Sequence, residues 1–592
     1  MKWTVWIVFF LVFHIACNQA SKKPTAQKGK PLSSFFEDYY EERLKLFPLD
    51  ATGIGDPRYN DTLPIAFTDG YRARLGEFYH RYLDEINRYK RDELDEKEQL
   101  FYDDFIYETN LNISELAFPA NYIPFNQFYA VPLSMGQWGS GKGVQPFKTV
   151  KDYDDWLRRA SGFKAWSDSA IVYFQKGLNA QYVLPRSIVV KMIPQLKAMI
   201  TDDVTKSIFY EPVHNMPADF ASADKERFTT QYRDLIRNVL EPSYRKLAEF
   251  LEKHYLLLAR TSSGIGSLPG GNDYYKFLVR QQTTTDKTPE EIYQTGLREV
   301  ARIRGLMDSV KNATGFKGDL SEFFNYMRND KRFAPYKTPK EVLDAFDRIH
   351  QTMKPYLAKM FSNVPKTGFE IRQTEAFRAE SASAEYLQGS PDGSRPGIFY
   401  VPILDAKKFN ITSGMESLFL HEAIPGHHYQ ISLQQENLSL PKFARFGGNN
   451  AYVEGWALYC ESLGKELGLY TDPYQYMGAL GDEMHRAIRL VVDVGLHAKN
   501  MTREQAIKYM MNNEAISEQG AIAEIERYMV IPGQALGYKI GALKISELRD
   551  KYAKQLEGKF SLASFHDEIL KDGALPLAIL EEKMDRWAAS VK

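Results

Sequence analysis

Long stretches of this chain place apolar residues three and four apart between charged ones, most clearly over 70–99, 223–260, 288–311 and 339–361. That spacing is the period of a helix with a single apolar stripe, and such a stripe leaves water only by packing against another element. Thr288-Pro289-Glu290-Glu291 reads as a helix start, with Thr as N-cap, Pro at the first helical position and acids in the first turn. Strand signals are few and short. The best is 397–403, Gly-Ile-Phe-Tyr-Val-Pro-Ile, bounded by Gly393-Ser394-Arg395-Pro396. Its proline removes a ladder donor, which places it at a sheet edge. The expected class is therefore mainly α, helix packed on helix.

With 592 residues, 44% of them apolar, the chain has ample material for a large core. The Gly/Ser/Pro-rich stretch 261–272 marks the expected boundary between an N-terminal lobe, 35–265, and a C-terminal lobe, 266–592. Seventy-five Lys and Arg stand against 76 Asp and Glu, a formal charge of -1, so no basic field exists to hold nucleic acid and none is expected as a partner.

The N-terminus reads as an export signal. Met1-Lys2 precedes an almost wholly apolar run, Trp3 to Phe13, then His14, Ile15, Ala16 and Cys17. The run is too short to span a bilayer, for which about 20 apolar residues are needed. A small residue before Cys17 resembles the bacterial lipoprotein box, in which the cysteine is lipidated and becomes the new N-terminus. Residues 1–17 are thus expected as signal peptide and 18–34, rich in Lys, Ser, Gln and Pro, as a flexible tether. The expected location is the cell envelope, periplasm-facing, with membrane attachment through the N-terminal lipid alone. Cys17 and Cys460 are the only cysteines, so there is no disulfide framework.

Five of the eleven histidines fall between His421 and His497, and His421-Glu422-Ala423-Ile424-Pro425-Gly426-His427-His428 lies within that window. The zinc-binding pattern His-Glu-x-x-His puts two imidazoles on one helical face and a carboxylate beside the metal. Here position i+4 is Pro425 and the histidines come at i+6 and i+7. In an unbroken helix, residues six apart differ by about 240° and about 9 Å, so a shared ion requires a break between them. Pro425 removes a backbone donor, and Gly426 has access to φ > 0. His427 and His428 are both candidates for the second imidazole. Glu454, in the apolar segment Ala451 to Tyr459, is an acid that needs a partner if buried; Glu461, two turns on, is its rival as third ligand. Arg486, Arg489, Asp493 and His497 are spaced 3, 4 and 4, forming one polar stripe on an otherwise apolar helix. That stripe faces either a cleft, where an Arg binds a substrate carboxylate, or an internal ion-pair ladder.

His-Glu-x-x-Pro-Gly-His-His, the preceding Ser-Arg-Pro-Gly-x-Phe-Tyr-Val, the following Glu-Gly-Trp-Ala-x-Tyr, Arg486-Ala487-x-Arg489 through His497, and Arg527-Tyr528 with Pro532-Gly533-Gln534-Ala535-Leu536-Gly537-Tyr538 together resemble the bacterial domain of unknown function 885. That family is in turn similar to mostly helical zinc metallopeptidases of the carboxypeptidase Taq, angiotensin-converting enzyme and oligopeptidase kinds. The resemblance implies a two-lobed helical zincin-like fold with a short edge strand at its cleft, a zinc ion on His421, His427 and Glu454, and Glu422 as general base. Tyr528 and Tyr538, with His497 behind them, become the candidate donors to the developing oxyanion. Arg486, Arg489, Tyr400 and Arg527 become the candidate contacts to a short peptide substrate, which the strand would pair as an added strand. Exo- and endopeptidase action both stay open. The alternatives are a zinc hydrolase of another amide or ester, and a nutrient-binding lipoprotein presenting aromatic platforms to glycans or peptides.

Intact-mass analysis of membrane-fraction protein is expected to give a mature chain starting at acylated Cys17, and Cys17→Ser is expected to release it from the membrane. A mature N-terminus elsewhere without acyl mass overturns the lipid anchor.

Overall fold

The structure is a computed structural model that describes residues 30–374, 383–391, 393 and 395–591. The signal peptide and most of the tether lie outside the described residues. The first helix starts at Leu32, inside the stretch 18–34, because Leu32 and Phe35 are both buried and anchor its inner face. The molecule is mainly helical, as the periodicity implies. The run 223–260 is helical from Ser222 to Leu258 with a π turn at Ile236–Leu240, immediately before Glu241-Pro242, where the proline cannot supply an i→i−4 donor. The run 70–99 divides instead: one helix ends at Ile86, and the next starts at Glu96 behind a capping box on Asp95.

The helices that build the site are α1 (Pro289–Ala313), α2 (Met415–Glu422), α3 (His427–Glu436), α4 (Asn450–Ser462), α5 (Pro473–Ala498), α6 (Glu518–Val530) and α7 (Gln534–Leu556). Thr288 caps α1 and forms a reciprocal capping box with Glu291, as its sequence requires. α4 and α7 meet through glycines. A Cβ on Gly455 would lie 2.5 Å from the Gly541 Cα, and a Cβ on Gly541 would lie 1.8 Å from the Ala451 carbonyl oxygen.

Three strands are present among the described residues: β1 (Phe369–Gln373), β2 (Glu385–Leu387) and β3 (Gly397–Val401). Their order is β1-β3-β2, with β1 parallel to β3 and β2 antiparallel to it. The segment expected at an edge is therefore the centre of the sheet, and all five of its residues are buried. Pro402 sits just past the last paired residue, so it ends β3 without removing a ladder bond. Both sides of β3 being taken, it cannot accept a peptide as a further strand.

The stretch 261–272 is tightly packed. A Cβ on Gly264 would lie 1.8 Å from the Leu496 oxygen, and one on Gly266 would lie 2.3 Å from the His497 oxygen. His497 pins the stretch: its Nδ1 accepts from the Ile265 N–H at 3.0 Å, and its Nε2 donates to the Tyr528 carbonyl at 3.0 Å. The principal core includes Tyr232 and Tyr255 on one side of this stretch and Ile303 and Val491 on the other.

Gly541→Ala is expected to cost about 1–3 kcal/mol through forced separation of α4 and α7, whereas Gly305→Ala, a helical position with open space around it, is expected to gain about 0.5–1 kcal/mol. Urea unfolding of both variants measures the contrast.

Burial pushes the pKa of His497 down to about 3, and that of His566, held by Met360 and Tyr459, to about 3 as well. An unfolded histidine titrates near 6.5. Between those values the unfolded chain binds protons that the folded one refuses, so stability present above about pH 6.5 is lost as pH falls toward 3. His497→Gln is expected to make the stability difference between pH 7.5 and pH 5 smaller, leaving the His566 contribution; an unchanged difference in urea titrations contradicts this.

Candidate metal centre

The chain breaks between the two imidazoles. α2 ends at Glu422, Ala423 adopts φ −107°, ψ −103°, the Ile424–Pro425 peptide is cis, and α3 starts at His427. Gly426 does not use the expected positive φ; it sits at φ −72°, ψ −128°. Glycine is required there by proximity, since a Cβ would lie 1.9 Å from the His421 oxygen and 2.4 Å from the Leu420 oxygen. The Trp456 indole of α4 donates to the Pro425 carbonyl at 2.9 Å and holds the break against the next helix. The rings of His421 and His427 are thereby brought to 4.9 Å, nearly perpendicular.

Both rings face Glu454. His421 Nε2 and His427 Nε2 lie 3.5 and 3.4 Å from the same Glu454 Oε2, and the three ligand atoms fall within 4.8 Å of one another. These separations are long for hydrogen bonds, and Glu454 Oε2 is buried without one. The two imidazole–carboxylate separations match the edge of about 3.4 Å subtended by two ligands at about 2.1 Å from one tetrahedral ion. The donor set, two imidazoles and a carboxylate, suits a divalent cation of that kind. Burial works against charge on Glu454, but the imidazoles of His427 and His421 prevail and hold its carboxyl well below the usual range.

Glu461, the rival third ligand, lies behind His421: its Oε1 is 2.7 Å from His421 Nδ1. With a metal at Nε2, a proton on Nδ1 directed to this carboxylate would fix the tautomer. His428 turns the other way, its Nδ1 accepting from the Tyr386 hydroxyl at 2.9 Å while the ring packs on Phe369, and burial lowers its pKa to about 4. His427 is thus the imidazole that joins His421. Glu422 is half-buried, and burial raises its carboxyl despite the opposing pull of His421 and His427.

The remaining predicted residues separate. Tyr538, on α7, stacks on the His421 ring at 6.3 Å and 15°. Tyr528 is committed elsewhere: it is 1% exposed, accepts from Arg489 Nε at 2.8 Å and donates to Glu524. His497 has both nitrogens bonded to backbone and none for a substrate. Arg489 is paired with Glu524 at 3.1 Å, while Arg527 bonds Gln534 at 3.1 Å. Tyr400 lines a cavity of about 810 Å³ with Tyr386, Arg372 and Arg395. Asp493 belongs to the structural ladder, accepting from Tyr275 and from the Gly533 N–H. The sequence reading missed Glu524, which gathers His485, Arg489 and Tyr528; its i,i+4 spacing to Tyr528 was the available signal. It also missed Tyr386, for which the sequence carries no signal.

The family described as "Bacterial protein of unknown function (DUF885)" matches residues 48–584. No curated protein matches the chain. The crystal structure of the "putative lipoprotein" from Colwellia psychrerythraea is similar at TM-score 0.88 and 30% identity, over 94% of this chain and 99% of that one. A "putative lipoprotein of unknown function" from Shewanella oneidensis shares the fold at TM-score 0.72 and 19% identity, over 94% of this chain and 100% of that one.

Proposed function

The chain belongs to the DUF885 family of bacterial proteins of unknown function, and on that premise we propose that it is an exported, lipid-anchored zinc peptidase with a two-lobed, zincin-like body, acting on short peptides. The observation that carries this reading is that ligand atoms of His421, His427 and Glu454 lie within 4.8 Å of one another, with the Glu461 carboxylate 2.7 Å from His421 Nδ1 behind them. His421, His427 and Glu454 hold the metal. A zinc ion there supplies Lewis acidity toward a water and toward the scissile carbonyl. Glu422 takes the attacking water's proton and delivers it to the leaving amine, a role suited to a carboxyl whose affinity for a proton burial has raised. Tyr538 keeps its hydroxyl proton, because burial and the neighbouring Glu454 raise its pKa, and it presents that proton to the carbonyl oxygen. Trp456 and the Gly455–Gly541 contact keep these groups in register by holding α4 against α3 and α7.

One zinc per chain is expected by elemental analysis of purified protein. Glu422→Gln is expected to keep the metal and lose at least about 10²-fold in turnover of a peptide library. Glu454→Ala is expected to lose the metal, and Glu461→Gln to weaken it by about 10–100-fold. Near-native turnover in Glu422→Gln removes that residue from the mechanism.

A further inference from the structure

α5 carries two guanidinium groups toward the centre, and their charges are met differently. Arg489 is buried and answered by Glu524 and the Tyr528 hydroxyl. Lys539, equally buried on α7, is answered by Glu483 at 2.7 Å and Glu299 at 3.0 Å. Arg486, one turn before Arg489, has no carboxylate within ion-pair distance among the described residues. Its Nε is buried without a hydrogen-bond partner, and its guanidinium lies over the Tyr538 ring at 5.5 Å. Asp482 and Glu422 feel its charge, but neither is within ion-pair distance of it.

A cation left half-buried and unpaired is costly unless an anion reaches it. Arg489 and Lys539 each have a carboxylate in contact and Arg486 has none, so the position of Arg486 is the one able to take a contact counter-ion from outside. The position of the guanidinium restricts what brings it. The Tyr538 ring neighbours both groups, with the Arg486 guanidinium 5.5 Å and the His421 ring 6.3 Å from its centroid, and Arg489 lies over it as well at 4.7 Å. An anion held by Arg486 therefore lies within about one to three extended residues, at about 3.5 Å each, of a carbonyl at the triad. The anion that every peptide carries at that distance from one of its last bonds is its own terminal carboxylate, and a planar guanidinium is matched to it in shape.

We propose that Arg486 recognises the free C-terminal carboxylate of the peptide, so that the enzyme removes one to three residues from the C-terminus and does not cut internally. This rests on the peptidase reading above. In the reaction the peptide C–N bond breaks, the water oxygen joins the carbonyl carbon, and the proton taken by Glu422 leaves on the amine of the released C-terminal fragment. Tyr538 neighbours both partners, its ring lying near the Arg486 guanidinium and the His421 imidazole.

The test uses acetylated tripeptides randomised at all positions, supplied as free acids or as C-terminal amides. With zinc-loaded protein, mass spectrometry is expected to show acids cleaved at least about 10²-fold faster in kcat/KM than amides. Arg486→Gln is expected to collapse that ratio toward one, mainly through KM, and Arg486→Lys to restore part of it; circular dichroism confirms that both variants fold. Independently of turnover, affinity-selection mass spectrometry on the Glu422→Gln protein is expected to retain acids over amides at least 10-fold, and the added Arg486→Gln change to abolish the difference. Hydrolysis of acids and amides at equal rates overturns the carboxylate site and leaves the peptidase reading standing. Arg486-dependent retention of acids without any hydrolysis does the reverse. Neither retention nor hydrolysis overturns both.

Discussion

Two helices touch backbone to backbone where Gly455 of α4 meets Gly541 of α7, and the arrangement of the centre depends on that contact. α4 carries Glu454 one residue before the contact, and α7 carries Tyr538 three residues before it. Any side chain at either glycine would push the helices apart, moving Glu454 away from the imidazoles and Tyr538 off the His421 ring. The same helix α4 carries Glu461, which grips His421, and Trp456, which holds the break between α2 and α3. One helix thus orients both histidines as well as supplying the carboxylate between them.

Three carboxylates surround His421, and their environments set them apart. Glu454 lies between two imidazoles that favour its charge, which prevails over burial. Glu461 is behind the ring and spends one oxygen on Nδ1. Glu422 lacks such a bond, so burial dominates and raises it. Placement alone therefore distributes them between the centre, its support and the open side, with no change of residue type.

The cationic side follows the same logic. Glu524 neutralises Arg489, holds the Tyr528 hydroxyl and meets His485, and Arg489 in turn lies over the Tyr538 ring at 4.7 Å. Arg489 has its charge met by Glu524, whereas Arg486 has no carboxylate within ion-pair distance among the described residues. The polar stripe on α5 is a structural ladder at Arg489, Asp493 and His497, while Arg486 stands in it without a contact ion pair among the described residues.

Local chemistry was legible in the residues themselves. Helical periodicity, the N-cap at Thr288 and the need for a break at Pro425-Gly426 follow from backbone geometry or short spacing, which a chain carries wherever it folds. The central place of β3 was not legible, because the strands that flank it are supplied from elsewhere in the chain and one is only three residues long. Nor could spacing separate Tyr538 from Tyr528, Glu454 from Glu461, His427 from His428, or Arg486 from Arg489. Each member of those pairs has the same chemistry, and its role is decided by whether a distant residue has already used its hydrogen bonds or its charge. Only the tertiary structure brings those distant residues together.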